Sequence, residues 1–280
     1  MRMVLLLCKL HCIIELSNLF GHILNQNTSE RGFDMKKCIP VIFCLLIMTA
    51  FTCSAVFLTN QDFAAVVSDN SLSAVLPVII VDAGHGGFDG GAKSIDGQQE
   101  KDFNLAIALK LADKLRADGF AVIMTRTEDA GTENDGLGTL REKKVSDIRN
   151  RMKLMQETEN CIFVSIHQNF FSDQSCRGAQ VFYSGNDPSS KILASCIQKS
   201  IAASIQPDNT RVTKKSDSSV YLMYHAEKCA VLVECGFISN YQEVQNLSDD
   251  TYQKQLVFAI SEGIYNYIFN TSEAPNGVEN

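Results

Sequence analysis

The stretch Val81-Asp82-Ala83-Gly84-His85-Gly86-Gly87 places a histidine among glycines directly after the apolar run 78–80. A short apolar run that ends in glycines is typical of a buried strand. Glycine lacks a Cβ atom and tolerates positive φ, so the chain can turn sharply here and leave the imidazole facing a cleft. The stretch therefore predicts an α/β fold, with His85 as a candidate ligand at the carboxyl end of a strand.

Three more polar residues stand at the ends of predicted elements. The segment 162–169 (IFVSIHQN) presents His167 in the same way as the first strand presents His85. Glu100 comes just ahead of an amphipathic helix, and Glu234 ends the apolar run 230–233. Because such ends converge on one crevice in an open α/β sheet, we expect the four side chains to lie close together.

Two histidines and two glutamates suit zinc hydrolysis. A catalytic zinc typically takes three protein ligands and keeps a fourth position for water. His85, Glu100 and His167 fit the ligand positions, which leaves Glu234 free as a general base. Each histidine alone is more often a hydrogen-bonded structural residue, and a glutamate before a helix is usually an exposed cap. The prediction of a Zn²⁺ site therefore depends on the combination.

Four segments of the chain resemble the zinc-dependent N-acetylmuramoyl-L-alanine amidases of the amidase-3 family, between about residues 78 and 269. They are 81–92 (VDAGHGGFDGGA), 100–105 (EKDFNL), 165–169 (SIHQN) and 233–240 (VECGFISN). The resemblance implies that His85, Glu100 and His167 bind zinc. It implies that Glu234 is the catalytic carboxylate. The implied reaction is hydrolysis of the amide between the lactyl group of N-acetylmuramic acid and L-alanine in peptidoglycan.

Within the family, the chain is most similar to the spore-cortex, germination-specific branch known as CwlD. The similarity lies in the polar insertion after residue 126, in 147–154 (DIRNRMKL) and in 220–223 (VYLM). It implies a role in spore cortex maturation in the forespore intermembrane space. Gln168 and Cys235 depart from the smaller or apolar residues that are commoner at their positions, although neither is a predicted ligand.

Other residues have weaker predicted roles. Arg126 ends a strand and is a candidate either to meet a substrate carboxylate or to pin the following loop. Asn169 follows His167 and is a candidate to orient that loop from outside the ligand set. Arg149 and Arg151 are expected to form salt bridges or to solvate a helix surface. His225 is a candidate to line the cleft.

The pattern along the chain predicts one α/β domain at 77–270. Its sheet is expected to be twisted and mostly parallel or mixed, with helices on both faces. The predicted strands are 78–82, 120–126, 161–167, 179–184 and 230–234, and the predicted helices are 102–117, 143–157, 188–205 and 250–269. Residues 271–280 are expected to form a flexible tail.

The N-terminal region reads as an export signal. Residues 35–58 begin with Met-Lys-Lys and continue as a nearly unbroken apolar run, which predicts a signal peptide or a membrane anchor. Residues 1–34 are interpreted as an upstream extension, with translation starting at Met35, and 59–76 as a linker. The domain is therefore expected outside the cytoplasm, meeting the membrane only through this segment.

Composition limits the partners. The formal net charge of −7 argues against a nucleic-acid binder. Of the ten cysteines, five lie before residue 59 and the other five are spread singly, which predicts small buried hydrophobes rather than a disulfide framework. No wall-binding module is visible, so an accessory protein is a candidate partner besides peptidoglycan.

Two alternatives to the amidase remain open. An inactive wall-binding or regulatory protein could keep the fold, but it would not need all four chemical positions. A zinc carboxypeptidase also uses histidine and glutamate ligands with a catalytic glutamate. The GHGG and EKDFN segments are not part of the carboxypeptidase pattern.

Overall fold

A computed structural model describes residues 76–270. The predicted extension, export segment and C-terminal tail lie outside these residues, as does all of the predicted linker except residue 76. Within 76–270, no helix combines the length and the apolar character needed to cross a bilayer.

One six-stranded mixed sheet organises the domain. Its strands are β1 (Val78–Ala83), β2 (Val122–Met124), β3 (Cys161–Asn169), β4 (Gln180–Tyr183), β5 (Lys214–Lys215) and β6 (Ala230–Phe237). Their order in the sheet is β2-β1-β3-β6-β4-β5. Strands β2, β1, β3 and β6 run parallel, whereas β4 is antiparallel to β6 and β5 is parallel to β4. The prediction of a mostly parallel or mixed sheet is confirmed.

Helices cover both faces of the sheet, as expected for strands that are apolar on both sides. Along β1, Ile79 and Val81 face one core, while Ile80 faces the other. The helices are α1 (Glu100–Ala117), α2 (Leu140–Glu157), α3 (Pro188–Ser204), α4 (Tyr221–His225), α5 (Tyr241–Ser248) and α6 (Asp250–Asn270). The larger core includes residues of α1, α3, α5 and α6, and the smaller core includes residues of α2 and α4.

Some predicted boundaries are wrong. Glu100 lies in the first turn of α1 rather than ahead of the helix. Helix α2 begins three residues before the predicted 143, because Thr139 and Glu142 form a capping box in which each side chain meets the other's backbone N–H. Strand β2 is shorter than the predicted 120–126.

Three elements are absent from the sequence prediction: α4, α5 and β5. Helix α5 carries a signal that could have located it, because the Asn240 side chain accepts a hydrogen bond from the Glu243 N–H at 3.1 Å. An Asn followed three residues later by Glu is a helix-start pattern. The two-residue edge strand β5 and the single-turn helix α4 are too short to give a periodic pattern.

The cysteine prediction holds for most positions in residues 76–270. All five cysteines there are free, and Cys161, Cys229 and Cys235 are buried. Burial raises the pKa of the Cys229 thiol to about 12, which keeps it protonated and unreactive.

Helices α3 and α6 approach each other at a glycine. A Cβ atom placed on Gly263 would lie 2.5 Å from the Cα atom of Ile197 and 2.8 Å from its backbone nitrogen. The obstruction is backbone, so a side chain there cannot be accommodated by a rotamer change.

We therefore expect Gly263→Ala to destabilise the protein, even though alanine favours a helix over glycine by about 1 kcal/mol. Overpacking of this kind costs about 1–3 kcal/mol. Urea unfolding measures the change, and Lys254→Ala on the exposed side of the same helix is the control, with an expected effect under about 0.5 kcal/mol. A Gly263→Ala protein as stable as the parent would show that the two helices are not in close contact there.

Candidate metal centre and catalytic cleft

The parallel strands bring the predicted residues to one edge of the sheet. His85 follows β1, and His167 lies near the end of β3, which pairs with β1. His167 and Glu234 are register partners across β3 and β6. His85, His167 and Glu234 line one cavity of about 260 Å³.

The glycines around His85 have the conformational role that the sequence predicted. His85 itself has φ of 59°, a left-handed conformation that is uncommon outside glycine, and Gly86 follows with φ of 137°. A Cβ atom on Gly84 would lie 2.2 Å from Nε2 of His167. The ring of the second histidine therefore packs directly against the backbone that carries the first.

Glu100 joins the two histidines. Its Oε2 lies 3.2 Å from Nε2 of His85, and its Oε1 lies 2.9 Å from Nδ1 of His167. The same carboxylate accepts hydrogen bonds from the backbone N–H groups of Ala92 and Gln168, at 2.9 and 3.1 Å. One ligand atom from each of the three side chains lies within 4.8 Å of the others, which makes this trio a possible metal site.

The charges around His85, Glu100 and His167 favour a cation at this site. Burial by itself raises the pKa of Glu100, but the hydrogen bonds and charges of His167 and His85 outweigh it and hold that pKa well below its usual range. Burial lowers the pKa of His85, but Asp89 and Glu100 outweigh it and raise the pKa to about 9. The carboxylates therefore stabilise a cation between the rings, whether a proton or a metal ion.

Glu234 lines the same cavity as His85 and His167 but is not part of the possible metal site. Its side chain is partly exposed to the cavity, and its Oε2 atom is buried without a hydrogen-bond partner among the described residues. Burial raises the pKa of Glu234 to about 7. A carboxyl group with such a pKa can both accept and donate a proton near neutral pH.

Asp89 and Asn104 were not assigned roles from the sequence, although both stand inside quoted segments. Oδ2 of Asp89 lies 2.9 Å from Nδ1 of His85, so it orients the ring whose other nitrogen faces Glu100. The buried Asn104 amide donates to the Gly84 carbonyl and to Glu100 at 3.2 and 3.3 Å. His85 and Asp89 lie in the loop after β1, where no periodic pattern predicts which side chains meet.

Arg151 is buried beside the backbone of His85 rather than exposed on the helix surface. Its side chain is 3% exposed, and it forms salt bridges with Asp82 at 2.5 Å and Asp147 at 2.8 Å. It also donates to the backbone carbonyls of Ala83 and His85, at 2.9 and 2.8 Å. The predicted salt bridges are confirmed for Arg151. The alternative of surface solvation is wrong for this residue, because its side chain is buried against Asp82 of β1. Arg149 is exposed.

The contacts of Arg126 fit the loop-pinning alternative. Its guanidinium is buried and donates to four backbone carbonyls, those of Ala83, Gly84, Lys101 and Glu128. Contact of Arg126 with a substrate stays a prediction.

Two further residues, Asn169 and His225, were candidates from the sequence. The backbone carbonyl of Asn169 accepts from Ile238 N–H at 2.8 Å, next to an irregularity in the β3–β6 register. A role for the Asn169 side-chain amide stays a prediction. His225 packs against Tyr221 and Tyr224, with ring centroids 4.4 and 5.1 Å away, and it is not among the residues that line the cavity.

Comparison with known proteins identifies N-acetylmuramoyl-L-alanine amidases as relatives of this chain. The N-acetylmuramoyl-L-alanine amidase family matches this chain over residues 79–266. The germination-specific N-acetylmuramoyl-L-alanine amidase of Bacillus subtilis is 35% identical over 199 residues, covering 71% of this chain and 82% of that protein. The amidase LytC of the same organism is 30% identical over 191 residues, covering 68% of this chain and 35% of LytC.

Solved structures show the same likeness. The CwlD amidase of Clostridioides difficile, determined in complex with the GerS lipoprotein, is 39% identical with a TM-score of 0.66, covering 68% of this chain and 98% of that one. The amidase AmiC2 of Nostoc punctiforme is 27% identical with a TM-score of 0.57, covering 68% of this chain and 96% of that one.

Removing the buried Arg151 charge should be costly. We expect Arg151→Met to lower the free energy of unfolding by about 3–5 kcal/mol, because it leaves Asp82 buried without its cation. Urea unfolding measures this loss. Arg149→Met, an exposed position on the same helix, is the matched control with an expected change under about 0.5 kcal/mol. Equal losses in the two variants would show that the Asp82–Arg151 pair is not the buried support described above.

Proposed function

Since this chain belongs to the N-acetylmuramoyl-L-alanine amidase family and is a peptidoglycan amidase similar to CwlD, we propose that it uses zinc to act on spore-cortex peptidoglycan. The bond cleaved is the amide between the lactyl group of N-acetylmuramic acid and L-alanine. The observation that carries the proposal is one cavity that Glu234 shares with His85 and His167, the two histidines that Glu100 joins into a possible metal site.

The residues present fit zinc. Two imidazole nitrogens and one carboxylate oxygen form a ligand set that catalytic zinc uses, with a position left for water or substrate. Hydrogen bonds fix the orientation of two of these ligand side chains. Asp89 contacts the His85 ring, and backbone N–H groups donate to the Glu100 carboxylate. Oε2 of Glu234 is buried without a hydrogen-bond partner within residues 76–270, which supports a role in binding a group that enters the cavity.

Zinc, when bound, supplies a Lewis acid that polarises the scissile carbonyl and lowers the pKa of water. Glu234 takes a proton from the attacking water, so that a bond forms between the water oxygen and the lactyl carbonyl carbon. The carbon–nitrogen bond then breaks, and Glu234 returns the proton to the departing alanine nitrogen. The products are a free lactyl carboxylate and a peptide with a free N-terminal amine.

The spore setting is proposed from the relatives. One is named for germination in Bacillus subtilis, and another is the CwlD amidase of Clostridioides difficile. The latter was solved with a lipoprotein bound, which supports an accessory protein as a partner for this chain. We place the domain in the forespore intermembrane space, exported by residues 35–58 after translation from Met35.

Product analysis separates this proposal from its alternatives. Purified protein, supplied with zinc, is incubated with muropeptides and the products are identified by mass spectrometry. The amidase releases intact stem peptides and free lactyl carboxylates. A carboxypeptidase would release a C-terminal amino acid, and an inactive wall-binding protein would release nothing.

We expect one zinc ion per chain, and a loss of that zinc in His167→Ala, because the variant keeps only two of the three ligands. Elemental analysis of dialysed protein measures the stoichiometry. His225→Ala is the matched control, since that histidine lies outside the cavity lining and should leave the zinc content unchanged. Full zinc retention at unchanged affinity in His167→Ala would refute the ligand assignment.

We expect Glu234→Gln to keep the zinc and the fold but to lower kcat by about a hundredfold or more, which is the usual loss when a general base is removed. The substitution preserves shape and removes the group that accepts the proton. Steady-state kinetics on a defined muropeptide, together with zinc content and thermal unfolding, provide the measurement. Turnover within a few-fold of the parent protein would contradict the assigned role.

A further inference from the structure

Two lysine or arginine side chains among the described residues line the catalytic cavity, and only one of them is accessible. Arg151 is buried, and it forms salt bridges with Asp82 and Asp147 and hydrogen bonds with backbone carbonyls. Lys144, on α2, has a side chain that is 56% exposed. Lys144 is therefore the cation that a ligand entering the cavity can meet.

The Lys144 ammonium has one ion-pair partner within residues 76–270. Its Nζ lies 3.1 Å from Oδ2 of Asp89, the same oxygen that lies 2.9 Å from Nδ1 of His85. An ammonium group carries three N–H donors, so one contact with Asp89 leaves donors for a second acceptor. Lysine is also a flexible side chain, and its charge can follow a ligand over a few ångströms.

The rest of the cavity is unfavourable to anions. Its lining includes the carboxyl groups of Asp82, Asp89, Asp147 and Glu234. The substrate, however, brings a negative charge close to the scissile bond. In peptidoglycan the residue after L-alanine is commonly D-glutamate, joined through its γ-carboxyl group, so its α-carboxylate is free. A carboxylate in this position needs a cation to offset the repulsion.

We propose that Lys144 binds the free carboxylate of the residue that follows L-alanine and so determines specificity for the peptide stem. The inference rests on the proposed function and adds a recognition contact to it. The ammonium then lies between Asp89 on the protein and the carboxylate on the substrate, while the scissile amide lies between the histidines and Glu234.

A purely positioning role for Lys144 makes a different prediction. If Lys144 acted only by holding Asp89 against His85, its removal would weaken zinc binding and slow the reaction on every substrate alike. A substrate contact is lost only with substrates that carry the carboxylate. Two muropeptides that differ in this group alone therefore separate the two roles.

The experiment compares muropeptides with D-glutamate or D-isoglutamine as the second residue, the latter having an amide in place of the α-carboxylate. The zinc-loaded parent protein should prefer the carboxylate substrate by about tenfold in kcat/KM, mainly through a lower KM. This is the size of effect expected when one hydrogen bond to a charged group is lost. Lys144→Gln should lose this preference by losing activity on the carboxylate substrate alone. Lys144→Arg should retain part of it.

Lys153→Gln is the matched control. Lys153 lies on the same helix, its side chain is 68% exposed, and it pairs with Glu157 away from the cavity. This variant should keep the parental preference, and all variants should keep the parental zinc content.

Three results would overturn the proposal. They are a parent protein with no preference between the substrates, a Lys144→Gln protein that keeps the preference, and a Lys144→Gln protein that loses zinc and slows equally on both. A parent protein that cleaves neither muropeptide would refute the proposed function itself, and the Lys144 contact with it.

Discussion

The buried guanidinium of Arg151 fixes the turn on which the cleft is built. It pairs with Asp82 at the end of β1 and with Asp147 on its own helix, and it donates to the carbonyls of Ala83 and His85. Burial raises the pKa of Asp82, but the Arg151 charge and the Ser165 hydroxyl outweigh it and hold that pKa below its usual value. Taking these charges out of water is expensive, and apolar residues of similar volume often give equal or greater stability. The pair is therefore better explained by the position it gives to His85 than by stability.

Arg126 supports the same turn from another direction. It donates to the carbonyls of Ala83 and Gly84, while Arg151 binds the carbonyls on either side of Gly84. His85 is thus held in a left-handed conformation that a free chain would rarely adopt. The ring of His167 can then pack against Gly84, and Glu100 can reach both rings. One short turn therefore sets the distances of the whole candidate metal centre.

The sequence predicts the central part of this arrangement because its signals are local. The runs that form β1, β3 and β6 are apolar and end in polar residues, and parallel neighbours must present those ends at one edge. The contacts of Asp89 and Asn104 depend on how the loop after β1 folds back, and no periodic pattern encodes that. The sequence does not predict the burial of Arg151 either, because helical spacing does not show that its partner is Asp82, which lies 69 residues away. Short elements such as α4, which carries Tyr221 into the cavity wall, are stabilised by tertiary contacts rather than by their own sequence.

We propose that His85, Glu100 and His167 hold one zinc ion beside Glu234. Anomalous diffraction at the zinc absorption edge, from crystals of the zinc-loaded protein, locates the ion and its ligands. We expect a single strong peak about 2.0–2.2 Å from one atom of each of the three side chains, with both Glu234 oxygens outside the coordination sphere. A peak at another place, or one coordinated by Glu234 instead of Glu100, would contradict the claim.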